Sequence, residues 1–299
     1  MDFIASEKLF LPYVNFSCKS EGQEENQGTG QRTDKCISFR LSHGICSMAL
    51  LGSECLSIDT DMVLFLTSSP CIEGKGDINP ANGLRDELGA MVVHNAHAVF
   101  VTATPDDVGM TEWAAYSMKH NLEEAGQTFA SYEVLDRRSA EEAEALVQRS
   151  NLIILGGGHV PTQNRFMHEI HLRDLLQSYD GVVVGISAGS MNCADPVYAQ
   201  PEEPGESVDA NYRRFLHGLR LTTVQVLPHF QKTRKYMLDG RRLLEDITFA
   251  DSRGHQFYGL PDGSYIFSDG RMEEIRGEAY LIANGMIDRV CNDNERRVL

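Results

Sequence analysis

The sequence predicts an α/β protein with a doubly wound, mainly parallel sheet, followed by a C-terminal region of β-hairpins. From Met62 onward, short runs rich in β-branched residues alternate with amphipathic helical segments of about a dozen residues. Parallel strands joined by such helices form right-handed crossovers, which place helices on both faces of one sheet. After residue 221 the strand signals come at short spacing and are joined by tight turns.

The predicted elements follow one another regularly. The spacing predicts five core strands at 63–67, 98–102, 129–135, 152–155 and 181–185, and later strands at 221–227, 265–268, 272–276 and 280–283. Helices are predicted at 79–95, at 111–124, after Ser139 (with Glu142 completing a capping box) and from the glycine run 156–158 through about 177. Turns are predicted at 261–263 and 268–270, which read Pro-Asp-Gly and Ser-Asp-Gly.

Residues 1–61 differ in composition from the rest. The segment 17–35 is rich in Glu, Gln, Gly and Lys and has no apolar period, so we predict a poorly ordered N-terminal extension before a main domain at 62–299. Four of the seven cysteines lie in the extension, at positions 18, 36, 46 and 55. Their spacing contains no C-x₂₋₄-C pair, so no metal site is predicted there.

Composition excludes several classes of partner. The formal net charge of −16 disfavours nucleic acid and anionic membranes, whose phosphates it would repel. No run approaches the roughly 18 apolar residues of a membrane span, and the N-terminus lacks the basic and apolar regions of a secretory signal. An odd number of cysteines without paired spacing favours reduced thiols, and hence a cytoplasmic location.

The fifth strand ends in the string Gly185-Ile186-Ser187-Ala188-Gly189. Gly-x-Ser-x-Gly directly after a buried strand is typical of a nucleophile elbow, a sharp strand-to-helix turn that exposes a serine above the sheet. The two glycines suit a backbone that is too crowded for Cβ atoms. The alternative is an ordinary strand-to-helix turn with an inert serine.

A serine nucleophile needs a base, and the base needs a group that orients it. Of the ten histidines, His229 ends an apolar strand at Leu227-Pro228 and therefore lies at a strand end, as Ser187 does. If the acid follows the chain order serine, acid, histidine, the segment 200–209 supplies it. Its four candidates are Glu202, Glu203, Glu206 and Asp209.

Acyl transfer also requires donors for a developing oxyanion, which backbone amides beside a glycine-rich turn supply. The Ala188 amide directly follows the serine, and Gly157 or Gly158 on the neighbouring strand end is a natural second donor. The run Gly156-Gly157-Gly158 could instead hold a phosphate, but the sequence has no G-x-G-x-x-G or P-loop pattern. No cofactor is therefore expected.

Together, the triple glycine, the elbow and Leu227-Pro228-His229-Phe230 resemble the aspartyl dipeptidase (dipeptidase E) and cyanophycinase family of serine peptidases. The resemblance runs from about residue 62 to 283. It implies a flavodoxin-like, class I glutamine amidotransferase-like fold, Ser187 as nucleophile and His229 as base. The family's acid, fifteen positions after the nucleophile, falls on Glu202, where this sequence has Glu instead of Asp. Glutaminase chemistry is not implied, because amidotransferases of this fold carry cysteine at the elbow.

The sequence therefore predicts a cytoplasmic serine hydrolase that cleaves amides in small peptides through an acyl-enzyme, as a monomer or homodimer. Its predicted catalytic residues are Ser187, His229 and Glu202, and the amides of Gly158 and Ala188 are predicted to form the oxyanion hole. A preference for N-terminal aspartate would need a cation, for which Lys232, Arg234 and Lys235 are candidates. The alternatives are a non-catalytic amidotransferase-like binding or sensor module, and an esterase that uses the same serine.

Overall fold

A central eight-stranded sheet organises the protein in the computed structural model, which describes residues 62–299; the predicted extension 1–61 lies outside the described residues. In spatial order its strands are β16 (Arg296–Val298), β13 (Glu273–Arg276), β12 (Tyr265–Ser268), β1 (Val63–Thr67), β5 (Val182–Ile186), β4 (Leu152–Leu155), β2 (Ala96–Val101) and β3 (Phe129–Leu135). Strands β1 to β5 pair in parallel, whereas β12, β13 and β16 add an antiparallel edge beside β1. The predicted doubly wound, mainly parallel sheet is confirmed.

The strands are β1 Val63–Thr67, β2 Ala96–Val101, β3 Phe129–Leu135, β4 Leu152–Leu155, β5 Val182–Ile186, β6 Val197–Tyr198, β7 Phe215–Leu216, β8 Gln225–Pro228, β9 Met237–Leu238, β10 Arg241–Arg242, β11 Gln256–Leu260, β12 Tyr265–Ser268, β13 Glu273–Arg276, β14 Ala279–Ala283, β15 Met286–Cys291 and β16 Arg296–Val298.

The α-helices are α1 Leu84–Met91, α2 Val108–Glu124, α3 Ala143–Arg149, α4 Val160–Glu169, α5 Leu172–Leu175, α6 Ala188–Asn192, α7 Phe230–Thr233 and α8 Phe249–Asp251. A π-helical segment spans Leu243–Thr248, and short 3₁₀ turns span Ala81–Gly83, Ala140–Glu142 and Leu176–Ser178. Within the range 62–299, no helix combines the length and apolarity that crossing a bilayer requires.

Side chains alternate between two cores, one on each face of the central sheet. In β1, Leu64 and Leu66 join the core that includes residues of α3 and α4, whereas Phe65 joins the core that includes residues of α1 and α2. Strand residues point alternately to opposite faces, so burial of both faces requires apolar residues at every position. This is why the predicted strands appear as continuous apolar runs.

A second sheet, in the order β15-β14-β11-β8, contributes to the first of these cores through residues such as Leu227, Phe257 and Ile282. Strand β8 pairs in parallel with β11, and β11 ends at Leu260, just before the predicted Pro-Asp-Gly turn. Residue 265 then begins β12 in the central sheet. The turn at 261–263 therefore connects the two sheets.

Several predicted details differ from the structure. The strand predicted at 221–227 is observed at Gln225–Pro228, and β11, β15 and β16 were not predicted. The Ser139 capping box is wrong: the Ser139 hydroxyl donates to the Val134 carbonyl and accepts from the Asp136 amide instead. The helix predicted through 177 is interrupted at His171, whose φ of 53° breaks the helical path.

The helix that follows the elbow lies very close to β4 at Gly189. A Cβ on Gly189 would lie 2.2 Å from the Leu155 carbonyl oxygen, which is backbone and cannot move aside cheaply. We expect Gly189→Ala to lower the free energy of unfolding by more than about 2 kcal/mol, measured by urea denaturation. Gly89→Ala in α1 is the control, since its Cβ would make only ordinary contact at 3.9 Å. Equal stability of the two variants would contradict the packing described here.

Candidate active site

The elbow holds Ser187 in a strained backbone conformation between β5 and α6. Its φ and ψ are 50° and −110°, a region that non-glycine residues rarely adopt. Such strain costs on the order of 1–3 kcal/mol and persists only where surrounding contacts impose it. The predicted strand-to-helix elbow is thus observed, with the half-buried serine at its corner.

The last residue of β1 supplies those contacts. The Thr67 carbonyl oxygen accepts from the Ser187 amide at 3.0 Å and from the Ser190 hydroxyl at 2.8 Å. The Thr67 hydroxyl in turn donates to the Gly185 carbonyl at 2.7 Å. These bonds hold both sides of the elbow against the neighbouring strand.

His229 follows β8 directly and reaches the serine from the second sheet. Its Nε2 lies 2.7 Å from Ser187 Oγ. The residue has a φ of 129° and a ψ of 51°, so it also occupies an unfavourable backbone region. The structure therefore brings together two of the predicted site residues, Ser187 and His229, which are 42 positions apart.

The other ring nitrogen of His229 binds Asp262. Nδ1 lies 2.8 Å from Asp262 Oδ1, and the same oxygen accepts from the Ser68 hydroxyl at 2.8 Å. Gln231 completes the arrangement through its side chain. Its Nε2 donates to Asp262 Oδ2, and its Oε1 accepts a hydrogen bond from the backbone amide of Asp262. The carboxylate is thus fixed from three directions.

These contacts determine the charge of Asp262. Burial alone would raise its pKa, but the hydrogen bond and positive charge of His229, together with bonds from Ser68 and Gln231, lower the pKa to about 2. Asp262 is therefore ionised at neutral pH and can only accept hydrogen bonds. An ionised carboxylate can pair only with a protonated Nδ1, so in the uncharged tautomer of the ring Nε2 is the acceptor for the Ser187 hydroxyl.

The expectation that Glu202 orients His229 is wrong for this structure. The half-buried Glu202 belongs to a separate loop, where its backbone amide donates to Glu206 Oε2 at 2.8 Å. Burial, reinforced by the neighbouring Glu206 and Glu203, raises the pKa of Glu202 to about 8. The acid that contacts His229 comes after the histidine in the chain, outside the segment 200–209 that sequence reasoning searched.

Glu206 pairs with a different histidine. His159 directly follows the turn Gly156-Gly157-Gly158, which we call the glycine turn. Its Nε2 lies 2.8 Å from Glu206 Oε1, and its Nδ1 lies 2.8 Å from Thr162 Oγ1. Although burial opposes both shifts, the pairing raises the pKa of His159 and lowers that of Glu206. The other two candidate acids, Glu203 and Asp209, are exposed, and Asp209 accepts a hydrogen bond from the Asn211 amide.

One group of side chains has the spacing of metal ligands. Donor atoms of His159, Glu203 and Glu206 lie within 4.8 Å of one another. However, His159 Nε2 already binds Glu206 Oε1, and Glu206 Oε2 accepts hydrogen bonds from the backbone amides of Glu202 and Glu203. The bond between His159 and Glu206 holds the loop that contains Glu206 against the glycine turn.

The glycine turn after β4 packs against the elbow. A Cβ built on Gly157 would lie 3.4 Å from Ser187 Cβ, so the turn and the serine are immediate neighbours. Among residues 62–299, no oxygen accepts a hydrogen bond from the Gly157 or Gly158 amide. Ala188 is the first residue of α6, so its amide has no partner within the helix.

Two of the three cations considered for binding a substrate carboxylate already have partners. Lys232 Nζ lies 2.7 Å from Glu73 Oε1. The Arg234 guanidinium lies over the rings of Phe230 and Tyr280, at 5.9 and 5.5 Å from their centroids. These contacts give no support to the expected recognition of an N-terminal aspartate by Lys232 or Arg234.

Comparison with known proteins identifies the family. Residues 64–275 match the model of peptidase family S51, so the chain belongs to that family, which comprises serine peptidases of the dipeptidase E type. The protein is therefore a serine peptidase by family, and the resemblance inferred from the sequence motifs is confirmed. No curated protein matches the sequence.

Solved structures agree with the fold. A peptidase from an acI-B1 Actinobacterium superposes with a TM-score of 0.53 at 18% identity, covering 79% of this chain and 96% of that protein. A Listeria monocytogenes EGD-e protein provisionally named peptidase E gives a TM-score of 0.50 at 19% identity, covering 77% and 98%. At these identities the similarity establishes a common α/β fold.

The raised pKa of Glu202 predicts a pH-dependent stability. The folded state keeps a proton on Glu202 that the unfolded chain releases above its ordinary pKa near 4.5, so stability falls as the pH rises from about 4.5 to about 8. Glu202→Gln abolishes this loss. We expect the melting temperature of the variant, relative to wild type, to rise by on the order of 4 °C between pH 5 and pH 8.5.

Glu203→Gln is the control for this measurement, because Glu203 is exposed in the same loop. Its melting temperature relative to wild type should change little over the same pH range. A Glu202→Gln difference that stays constant with pH would show that Glu202 is ionised in the folded protein.

Proposed function

We propose that the protein hydrolyses amide bonds of small peptides with a triad of Ser187, His229 and Asp262, the last in place of Glu202. The observation that carries the proposal is the continuous hydrogen-bonded line from Ser187 Oγ through the imidazole to a carboxylate with a pKa of about 2. Nucleophile, base and orienting acid in this geometry are the requirements for activating a serine.

The proposed reaction begins with attack of Ser187 Oγ on the substrate carbonyl carbon. His229 Nε2 takes the hydroxyl proton as the C–O bond forms, and Asp262 stabilises the resulting imidazolium. The tetrahedral intermediate collapses when His229 returns the proton to the leaving amine nitrogen, and the C–N bond breaks. Water then attacks the acyl-enzyme by the same steps, which release the acid and restore Ser187.

Backbone amides are proposed to bind the oxyanion of both tetrahedral intermediates. The Ala188 amide and an amide of the glycine turn, Gly157 or Gly158, flank the serine and have no other described acceptor. Donors that are already oriented toward a developing charge lower the barrier without reorganisation during the reaction. Removal of one such donor typically lowers kcat by about 10²–10³-fold.

The proposed substrate class is small peptides, as for dipeptidase E. It is supported by the family assignment and by the fold shared with proteins named as peptidases. A screen of dipeptides that includes Asp-X and isoaspartyl forms, with the chain from Met62 onward, identifies the substrate. The catalytic domain at 62–299, the cytoplasmic location and the monomeric or homodimeric state stay predictions.

Two other functions use the same residues differently. A binding or sensor module would keep the elbow for structural reasons, but the strained Ser187 bound to an oriented histidine favours chemistry over scaffolding. An esterase would differ only in the leaving group. Hydrolysis of p-nitrophenyl esters without hydrolysis of any peptide in the same screen would identify an esterase.

The triad is tested by comparing the two carboxylates. Asp262→Asn should lower kcat by about 10³–10⁴-fold, because an amide can stabilise the wrong tautomer of His229 and cannot stabilise its charge. Glu202→Gln, the matched control, should retain kcat within about tenfold. Ser187→Ala gives the background rate of hydrolysis in the absence of the proposed nucleophile. The rates of peptide hydrolysis and of fluorophosphonate labelling are both measured.

The opposite ranking would overturn the assignment of the acid. If Glu202→Gln loses activity and Asp262→Asn retains it, the loop carboxylate acts on His229 during turnover. If wild type neither hydrolyses peptides nor reacts with the fluorophosphonate, the protein is a non-catalytic module.

A further inference from the structure

Three carboxamide side chains are buried beneath the elbow and take no part in the proposed triad. Gln163 and Asn192 have no exposed surface, and Asn164 is 8% exposed. Burying an amide is unfavourable unless its donors and acceptors are all paired, so such residues require specific partners. Gln163 and Asn164 lie on α4, and Asn192 is the last residue of α6.

The three amides form a continuous chain of hydrogen bonds. Gln163 Nε2 donates to the Gly156 carbonyl oxygen at 2.7 Å, and Gln163 Oε1 accepts from Asn192 Nδ2 at 3.1 Å. Asn192 Oδ1 accepts from Asn164 Nδ2 at 2.9 Å. Asn164 Nδ2 also donates to the His217 carbonyl at 2.9 Å, which closes the chain at its far end.

The chain connects the two backbone segments that are proposed to bind the oxyanion. Gly156, at one end, is the first residue of the glycine turn, and Asn192, in the middle of the chain, ends the helix that begins at Ala188. Because a trans peptide unit is planar, fixing the Gly156 carbonyl also fixes the direction of the Gly157 N–H in the same unit. The Gly156 amide is itself held by the Val101 carbonyl at 2.8 Å.

We propose that Gln163 is a positioning residue for the oxyanion hole, with Asn192 as its support. It touches neither the substrate nor the triad; it orients the glycine turn relative to the elbow helix, so that amides of both segments converge on one oxygen. This inference rests on the proposed acyl-transfer function. A well-packed apolar residue would fill the same space but leave the Gly156 carbonyl without its side-chain donor.

The expected effect is kinetic. A displacement of about 1 Å at a catalytic group can cost about 10²-fold in rate, and loss of one oxyanion donor costs about 10²–10³-fold. Gln163→Met keeps the length and volume of the side chain but removes its donor and acceptor. We expect the maximal rate of Ser187 modification to fall by about 10–100-fold, with weaker effects on initial binding.

The experiment uses a fluorophosphonate, which needs no knowledge of the natural substrate. Ser187 Oγ attacks phosphorus, His229 takes the proton, fluoride leaves, and the phosphoryl oxygen occupies the oxyanion position. Maximal inactivation rate (kinact) and half-saturating concentration (KI) are measured for wild type and Gln163→Met. The expected result is a lowered kinact, a KI within about threefold of wild type, and an unchanged midpoint of the pH profile of kinact, because the base is intact.

Two further variants separate positioning from folding. Gln163→Asn keeps the amide but is one methylene too short to reach Gly156, so it should fold and still lower kinact. Asn164→Ala removes the far end of the chain and leaves the Gln163–Gly156 bond, so its kinact should stay within about threefold of wild type. Melting temperatures of all variants identify any that fail to fold.

The outcomes distinguish this inference from the proposed function. Wild-type labelling of Ser187 with unchanged kinact in Gln163→Met or Gln163→Asn overturns the role of Gln163 and leaves the triad intact. A shifted pH midpoint, or a loss confined to KI, also overturns it, since both indicate an effect on the base or the binding surface. Absence of wild-type labelling at Ser187 would instead overturn the proposed function.

Discussion

Two adjacent residues at the end of β1 hold the site together. Thr67 fixes the elbow through its carbonyl and hydroxyl, and Ser68 donates to the carboxylate of Asp262. The elbow and the acid come from opposite sides of β1, which pairs with β5 on one side and β12 on the other. The position of β1 in the sheet therefore determines the distance between Ser187 and Asp262.

Both residues of the proposed proton transfer have strained backbones. Ser187 and His229 each occupy a region of positive φ, at an expected cost of about 1–3 kcal/mol apiece. The surroundings maintain this strain through buried hydrogen bonds at the elbow and through the carboxylate that holds His229. The amide chain through Gln163 extends the same principle to the glycine turn, because its hydrogen bonds join that turn to the helix of the elbow and thereby favour one arrangement of the backbone.

Sequence reasoning recovered the parallel sheet, the elbow and His229, because strand periodicity and turn glycines are local signals. It missed the carboxylate that contacts His229 for a topological reason. Asp262 lies in a Pro-Asp-Gly string that was correctly predicted as a turn, but nothing local indicates that this turn connects two sheets and returns to the end of β8. The expected chain order of serine, acid and histidine then directed the search to Glu202. Gln163 and Asn192 were missed because polar residues in helices usually face solvent, and only the packed structure reveals that these two are buried.

The most direct test of the account is a crystal structure of the protein after fluorophosphonate modification. The account predicts phosphorus bonded to Ser187 Oγ, and His229 Nδ1 within hydrogen-bond distance of Asp262. The phosphoryl oxygen should lie about 2.7–3.1 Å from the amide nitrogens of Ala188 and of Gly157 or Gly158. A structure in which His229 contacts Glu202, or in which the phosphoryl oxygen points away from the glycine turn, would contradict it.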